Sequence, residues 1–435
     1  MTTTRFAPSP TGYLHIGNLR PALMNFLIAK KAAGTFILRI DDTDPERSKQ
    51  EFIDAIFEDL TWLGLTWDRV EYQSKRLERY EDAAEKMRGM ARLYEAFETP
   101  TELDLKRKKQ LNMGKPPVYD RAALALSEDE KDTLRADRAG HWRFKLDWER
   151  ISWTDGILGE TSIDAASVSD PVLIRGDGQF LYTLASVVDD TDMGITHVVR
   201  GSDHVTNTAT QIQMIRALGC EPPVFAHHSL LTGPQGEALS KRFGTLSLRE
   251  MRAQGVQPFA LLSLMARLGS SDPVELQTSL EALAEGFDLT KFGSAPTKFD
   301  SDDLFPLTAR YLHGRSYAEV AEEIASVGVP ADLAEAFWGA IHDNITTLKD
   351  VSVWWDMLRD GAEPLIDDED ASFVSEALAL LPDDRTPDTW GQWTTTVKEA
   401  TGRKGKGLFQ PLRKALTGQT AGPDMGALLP LMQVI

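Results

Sequence analysis

One cysteine, Cys220, stands among 435 residues. That scarcity excludes a disulfide framework and any four-cysteine zinc site, so no structural zinc is expected. No unbroken apolar run reaches the roughly 18 residues of a membrane-crossing helix, and no apolar leader precedes Arg5. The expectation is a cytoplasmic protein with no membrane partner. Positive charge is also short: 47 Lys and Arg face 66 Asp and Glu, a net charge of −19. A nonspecific nucleic-acid binder is therefore excluded, because neutralising phosphates needs a broad basic surface. Internal repeats and low-complexity tracts are absent. What is present, 42% hydrophobic and 26% charged residues, is the composition of a soluble globular chain. Its length suits about two to four domains.

Two local basic strips interrupt the acidic background. One is Lys106-Arg-Lys-Lys109; the other, Arg403-Lys-Gly-Lys406, continues to Arg413-Lys414 with no acidic residue between. A run like the first is more often a solvated helix face. The second mixes its cations with Gly402, Gly405, Gly407 and Pro411, which suits a loop lying against a phosphate backbone.

The first 75 residues alternate strand and helix. A short strand over 5–7 precedes a helix over 19–31, with Pro21 tolerable in its first turn. A strand over 36–40 ends in the acidic turn 41–44, and Pro45 opens a helix with Phe52, Ile53, Ile56, Phe57 and Leu60 on one face. This order implies a parallel sheet whose ligands sit beyond the carboxyl ends of its strands. Residues 80–165 break the rhythm and read as an insertion containing the basic run and a strand-like aromatic segment over 141–148. The α/β pattern resumes with strands at 171–175, 180–188 and 197–200, a helix through 211–218, and a strand near 224–231. From about 300 onward the chain reads as amphipathic helices.

Two motifs carry the chemistry. Near the N-terminus stands Arg5-Phe-Ala-Pro-Ser-Pro-Thr-Gly-Tyr-Leu-His-Ile-Gly-Asn18; far downstream stands Ala238-Leu-Ser-Lys-Arg242. Two prolines around Ser9 pin an extended loop. Gly17 lets a nucleotide approach the backbone, and the helix beginning there offers free N–H groups and a positive dipole end to phosphate. Lys241 is a mobile ammonium able to reach a phosphate chain. Asp41 could hold an ammonium group by a charge-assisted hydrogen bond, with Arg39 as local counter-charge. Arg5 and Arg200, at strand ends, suggest paired capture of carboxylates. Tyr182 falls on a buried strand, where a core tyrosine with a satisfied hydroxyl is the ordinary reading.

These two motifs, with 36–45, 182–190, Arg200 and 410–418, resemble the bacterial glutamyl-tRNA synthetases, class I enzymes with HIGH and KMSKS signatures. The resemblance implies a Rossmann-type α/β catalytic domain in two halves (1–78 and 169–235) around an acceptor-binding insertion (79–168). A stem-contact region with the lysine loop (236–300) and an all-helical anticodon-binding region (301–435) would follow. It implies that Arg5, Phe6, Ala7, Asp41, Tyr182, Ser186 and Arg200 line the glutamate pocket, with Asp41 on the α-ammonium and the arginines on carboxylates. Ser9, His15, Gly17, Asp203, Leu231, Ser240 and Lys241 would contact ATP, with His15 and Lys241 catalytic. Lys106, Arg107, Lys108, Arg403, Lys404 and Lys406 are the candidate tRNA contacts.

The chain departs from the family pattern at four places. The first signature ends in Asn18, the lysine loop starts with Ala238, Asp41 replaces a common glutamate, and His204 stands where an aromatic is usual. The implied activity is ATP-dependent glutamylation of tRNA by a monomer using ATP with Mg²⁺. Glutaminyl-tRNA synthetase is an alternative, as is a non-discriminating enzyme that also glutamylates tRNA for glutamine. A helical rather than β-barrel end and an arginine at 200 favour glutamate.

Overall fold

The computed structural model describes residues 1–237 and 247–434, so Ala238, Ser240, Lys241 and Arg242 lie outside the described residues. The chain divides into two compact units, Met1–Met251 with Leu262–Asp300, and Arg252–Leu261 with Ser301–Ile435.

The first unit opens with β1 (Thr3–Phe6), α1 (Ile16–Lys31), β2 (Thr35–Ile40), α2 (Gln50–Trp62), β3 (Arg69–Tyr72) and α3 (Leu77–Gly89). The insertion then contributes β4 (Leu93–Ala96), α4 (Pro100–Asn112), α5 (Glu128–Asp137), β5 (His141–Phe144), and the hairpin β6 (Arg150–Asp155) and β7 (Gly159–Asp164). After β8 (Val172–Ile174) come α6 (Tyr182–Asp192), β9 (His197–Gly201), α7 (Val205–Ala217) and β10 (Val224–His228). β1, β2 and β3 pair in parallel, and so do β9 and β10. The Thr196 amide donates to the Thr3 carbonyl, and the Thr3 amide donates to Thr196 Oγ1, each at 2.9 Å. β9 therefore runs beside β1, and the order reverses there. Such a switch point leaves a crevice beyond the strand ends.

Asn25 of α1 spans this point, its side-chain amide donating to the Val199 carbonyl at 2.8 Å while its own carbonyl accepts from Thr4 Oγ1. A single core runs from Ile37 through Tyr80, Phe144, Leu184 and Ile212 to Phe225, so the insertion is rooted in the core of the sheet.

Four elements differ from the sequence expectation. Residues 180–188 were expected as a strand, but α6 occupies Tyr182–Asp192. Its apolar run is too short for periodicity to separate the two forms, and the helix is buried on nearly every side from Leu184 to Asp190. Tyr182, its first residue, is 37% exposed and so is no core tyrosine. β8 does not extend the parallel sheet; it pairs with β5 of the insertion. α1 starts three residues before position 19, which moves Pro21 beyond the first turn. α2 starts at Gln50, with turns after Pro45, and Phe52 and Phe57 are only partly buried.

The second unit contains no strand among its described residues. Helices Ala334–Ile341 and Lys349–Asp360 meet through Phe337 and Trp355, edge to face at 5.6 Å.

Candidate active site

His15 is the N-cap of α1. Its Nδ1 accepts from the Gly17 amide at 3.1 Å, while Asn18 Oδ1 accepts from the His15 amide at 3.2 Å. This reciprocal cap satisfies two helix-end donors and places the ring proton on Nε2. Asn18, a departure from the family signature, thus has a structural role. A Cβ on Gly17 would lie 2.9 Å from His15 Cε1, so a larger residue there would push the capping ring aside. Beyond the stretch 238–246, the chain returns to this signature: the Leu248 amide donates to the Leu14 carbonyl, and Ser247 bridges His15.

A cleft of about 980 Å³ opens at the switch point. Its lining brings together Arg5, Phe6, Ala7 and Ser9 from β1 and the loop after it, and His15 and Gly17 from the start of α1. Asp41, Tyr182, Arg200, Asp203 and Leu231 complete the set. Ser186 lies behind this surface, 1% exposed, its hydroxyl accepting from Arg39 Nη2 at 3.3 Å.

The charges inside are unequally matched. Arg5 closes its fork on Asp190, Nε to Oδ1 at 2.9 Å and Nη2 to Oδ2 at 3.2 Å, a pairing that does not use Nη1. Arg39, fully buried, takes both oxygens of Asp41 (2.7 and 3.1 Å) and Asp190 Oδ1 (2.8 Å). Arg39 is therefore a core residue as well as the counter-charge of the acidic turn. Burial alone would lower the Arg39 pKa, but Asp41 and Asp190 raise it well above its ordinary value. Burial works against ionised Asp190, yet Arg5 and Arg39 hold it below the usual carboxylate range. Asp189 accepts from Arg76 Nε at 2.6 Å, Tyr80 Oη at 2.9 Å and Gln73 Nε2 at 2.9 Å. For Asp41 burial prevails, pushing its pKa up to about 6 despite Arg39.

Arg200 is different. The residue is 7% exposed, and its hydrogen-bond partners are neutral: Thr208 Oγ1 at 2.5 Å, His227 Nε2 at 3.3 Å and Tyr182 Oη at 3.5 Å. It forms no ion pair among the described residues, and burial lowers its pKa. A buried cation without a counter-ion is costly unless a ligand supplies one. The two arginines expected to act alike are thus distinct: Arg5 is already paired, and Arg200 lacks an anion.

These features, a capped helix N-terminus, a carboxylate in the lining held by a buried arginine, and a guanidinium whose hydrogen-bond partners are neutral, occur in one cleft of a parallel sheet. Residues 1–306 match the family described as tRNA synthetases class I (E and Q), catalytic domain. The chain belongs to that family. The synthetase is 74% identical over 437 residues to glutamate–tRNA ligase 1 of Ruegeria pomeroyi, covering 100% of this chain and 99% of that protein. It is 69% identical to glutamate–tRNA ligase 1 of Paracoccus denitrificans, with the same coverage. Among solved structures, it is similar to a glutamate tRNA ligase from Elizabethkingia meningosepticum in complex with its amino acid. That match has a TM-score of 0.85 and 28% identity over 99% of this chain and 96% of the other. The glutamate–tRNA synthetase of Elizabethkingia anophelis gives a TM-score of 0.86 and 29% identity over 99% and 97%.

The synthetase's candidate tRNA contacts are less uniform than the sequence implied. Lys106 is held by Glu98 (3.3 Å) and Asp120 (3.1 Å), whereas Arg107 and Lys108 are exposed on α4, a helix with no buried residue. In the second unit, Arg403 pairs with Asp370 and stacks over Phe373 at 4.1 Å, and Lys414 pairs with Asp367 at 2.6 Å. The strip without acids in sequence is partly neutralised in space. Lys404 and Lys406 remain exposed beside the glycine turn that caps helix Lys406–Thr417.

Sequence reasoning missed Asp189, Asp190, Thr208, His227 and Asp155 as parts of the site. Asp189 and Asp190 directly follow the apolar Val187 and Val188, and acids closing a buried run are the signal the sequence carries for them. Among the described residues, no helix is long and apolar enough to cross a membrane.

Proposed function

We propose that the synthetase is a glutamate–tRNA ligase. The observation carrying this reading is Arg200, a buried arginine with only neutral hydrogen-bond partners among the described residues, in the same cleft as Asp41. A side-chain carboxylate neutralises that charge, and an amide does not, so glutamate is preferred over glutamine. Asp41 holds the α-ammonium, the free Nη1 of Arg5 meets a carboxylate oxygen, and Tyr182 packs at the mouth. Ser9, His15, Gly17, Asp203, Leu231, Ser240 and Lys241 take ATP, which enters as its Mg²⁺ complex, a substrate.

The α-carboxylate oxygen attacks the α-phosphorus of ATP, and the bond to the bridging oxygen of pyrophosphate breaks. Glutamyl adenylate and pyrophosphate result. A hydroxyl of the terminal ribose of tRNA then attacks the acyl carbon, its proton is lost and AMP leaves. The positive end of the α1 dipole and the His15 Nε2–H stabilise charge growing on the phosphates, together with Lys241. No side-chain nucleophile takes part.

In this reading, residues 79–168 hold the acceptor end, 236–300 contact the stem, and 301–435 bind the anticodon arm, with Lys404 and Lys406 on its phosphates. The enzyme works as a cytoplasmic monomer. The test is aminoacylation of purified tRNA isoacceptors with glutamate and with glutamine. Glutamate should be attached at least about 100-fold more efficiently; equal use of both amino acids would refute the reading. Charging of tRNA for glutamine with glutamate in the same assay would mark a non-discriminating enzyme.

A further inference from the structure

The structure assigns a positioning role to Asp155 and His227: they orient Arg200 and keep its charge available to the substrate, so that the inserted hairpin helps set the choice of amino acid. This inference rests on the reading of Arg200 as the side-chain carboxylate site.

Asp155 ends β6 at the tip of the inserted hairpin, and its carboxylate is buried. Oδ1 accepts from the amides of Ile157, Leu158 and His227, each at 3.0 Å. Oδ2 faces His227 Nδ1 and accepts from Trp153 Nε1 at 3.3 Å. Burial opposes its ionisation, but His227 and these amides hold its pKa far below the usual carboxylate range. Ionised Asp155 is an acceptor only, so His227 carries its proton on Nδ1 and presents a lone pair at Nε2. That lone pair accepts from Arg200 Nε at 3.3 Å and lies 2.9 Å from Thr208 Oγ1, which in turn accepts from Arg200 Nη2.

The arrangement grips one edge of Arg200 with two neutral acceptors. A carboxylate placed directly against the guanidinium would cancel its charge, as Asp190 does for Arg5. An imidazole between Asp155 and Arg200 transmits orientation and partial negative charge without forming that ion pair. The hairpin tip is also clamped onto β10. The Gly156 amide donates to the Phe225 carbonyl at 2.9 Å, and a Cβ on Gly156 would sit 3.1 Å from that of Ala226. A shift of the hairpin therefore reaches Arg200 through two hydrogen bonds.

The test uses the full-length enzyme with tRNA present. Asp155→Asn turns a donor toward either His227 Nδ1 or the three amides, and the former moves the imidazole proton to Nε2, against Arg200 Nε–H. It should raise the KM for glutamate by about 10- to 100-fold and narrow the glutamate-to-glutamine ratio of kcat/KM by a similar factor. The KM for ATP should stay within about twofold. Thr208→Val should act in the same direction and Thr208→Ser should restore the native ratio, which covers the case in which Asp155→Asn does not fold. An unchanged ratio in folded Asp155→Asn and Thr208→Val overturns the inference, making the pair a clasp for the hairpin only. If the native enzyme itself shows no preference for glutamate, the underlying reading of Arg200 fails instead.

Discussion

Arg200→Leu separates catalytic loss from structural loss more sharply than any other single change. In the complex, the substitution leaves the glutamate side-chain carboxylate buried and without its cation. Breaking a buried pair in this way costs about 3–5 kcal/mol, or about two to four orders of magnitude in kcat/KM for glutamate. In the free enzyme the balance is different. Arg200 has no ion-pair partner to orphan among the described residues, and its removal relieves the desolvation that lowers its own pKa. Its two acceptors, His227 Nε2 and Thr208 Oγ1, already hydrogen-bond each other at 2.9 Å and keep that bond once the guanidinium is gone. The stability terms nearly offset, and the melting temperature should move by less than about 4 °C. The assay is ATP–pyrophosphate exchange with tRNA present over a range of glutamate, paired with thermal denaturation of the free enzyme. A large drop in melting temperature would refute the argument by showing that Arg200 supports the fold. Native kcat/KM would show that the side-chain carboxylate lies elsewhere.

Asp41 gives a pH signature. Its folded pKa of about 6 lies above its ordinary value, so ionising it in the folded state costs stability above about pH 6, and that cost disappears below the unfolded pKa. Glutamate binding should show the opposite trend, its KM rising as pH falls through about 6, with Asp41→Asn abolishing that dependence. Gly17→Ala drives a Cβ against the His15 ring; it should slow adenylate formation by about 10²-fold and cost about 1 kcal/mol of cap stability in denaturant titration. Lys404→Ala with Lys406→Ala should weaken tRNA binding and flatten its salt slope by about 0.7–0.9 log units per lost contact. Arg403→Ala, which loses Asp370 and Phe373 as partners, should lower the stability of the second unit instead.

The parts of the site written in local backbone requirements were legible in the sequence. Two prolines around Ser9 and the glycine at 17 each constrain their own few residues, whereas the cap at His15 emerged only with the earlier start of α1. The prolines and the glycine mark the strand-to-helix turn without reference to the rest of the chain. The strand–helix alternation of the first 75 residues was legible for the same reason, although the strand Arg69–Tyr72 was not singled out. The strand expected at 180–188 failed because α6 is buried almost all round, which erases the amphipathic period that identifies a surface helix.

The sequence by itself determined the turn of the first signature, the alternating α/β order and the residue types available to the cleft. Only the tertiary structure decided which of those charges are already matched. Arg5 is closed by Asp190 from 185 positions away, and the strip around Arg403 is partly cancelled by Asp370 from 33 positions away. Arg200 hydrogen-bonds only to uncharged groups among the described residues. The reason is physical: ion pairing inside a protein depends on separations of a few ångströms and on the exclusion of water, and neither is set by distance along the chain.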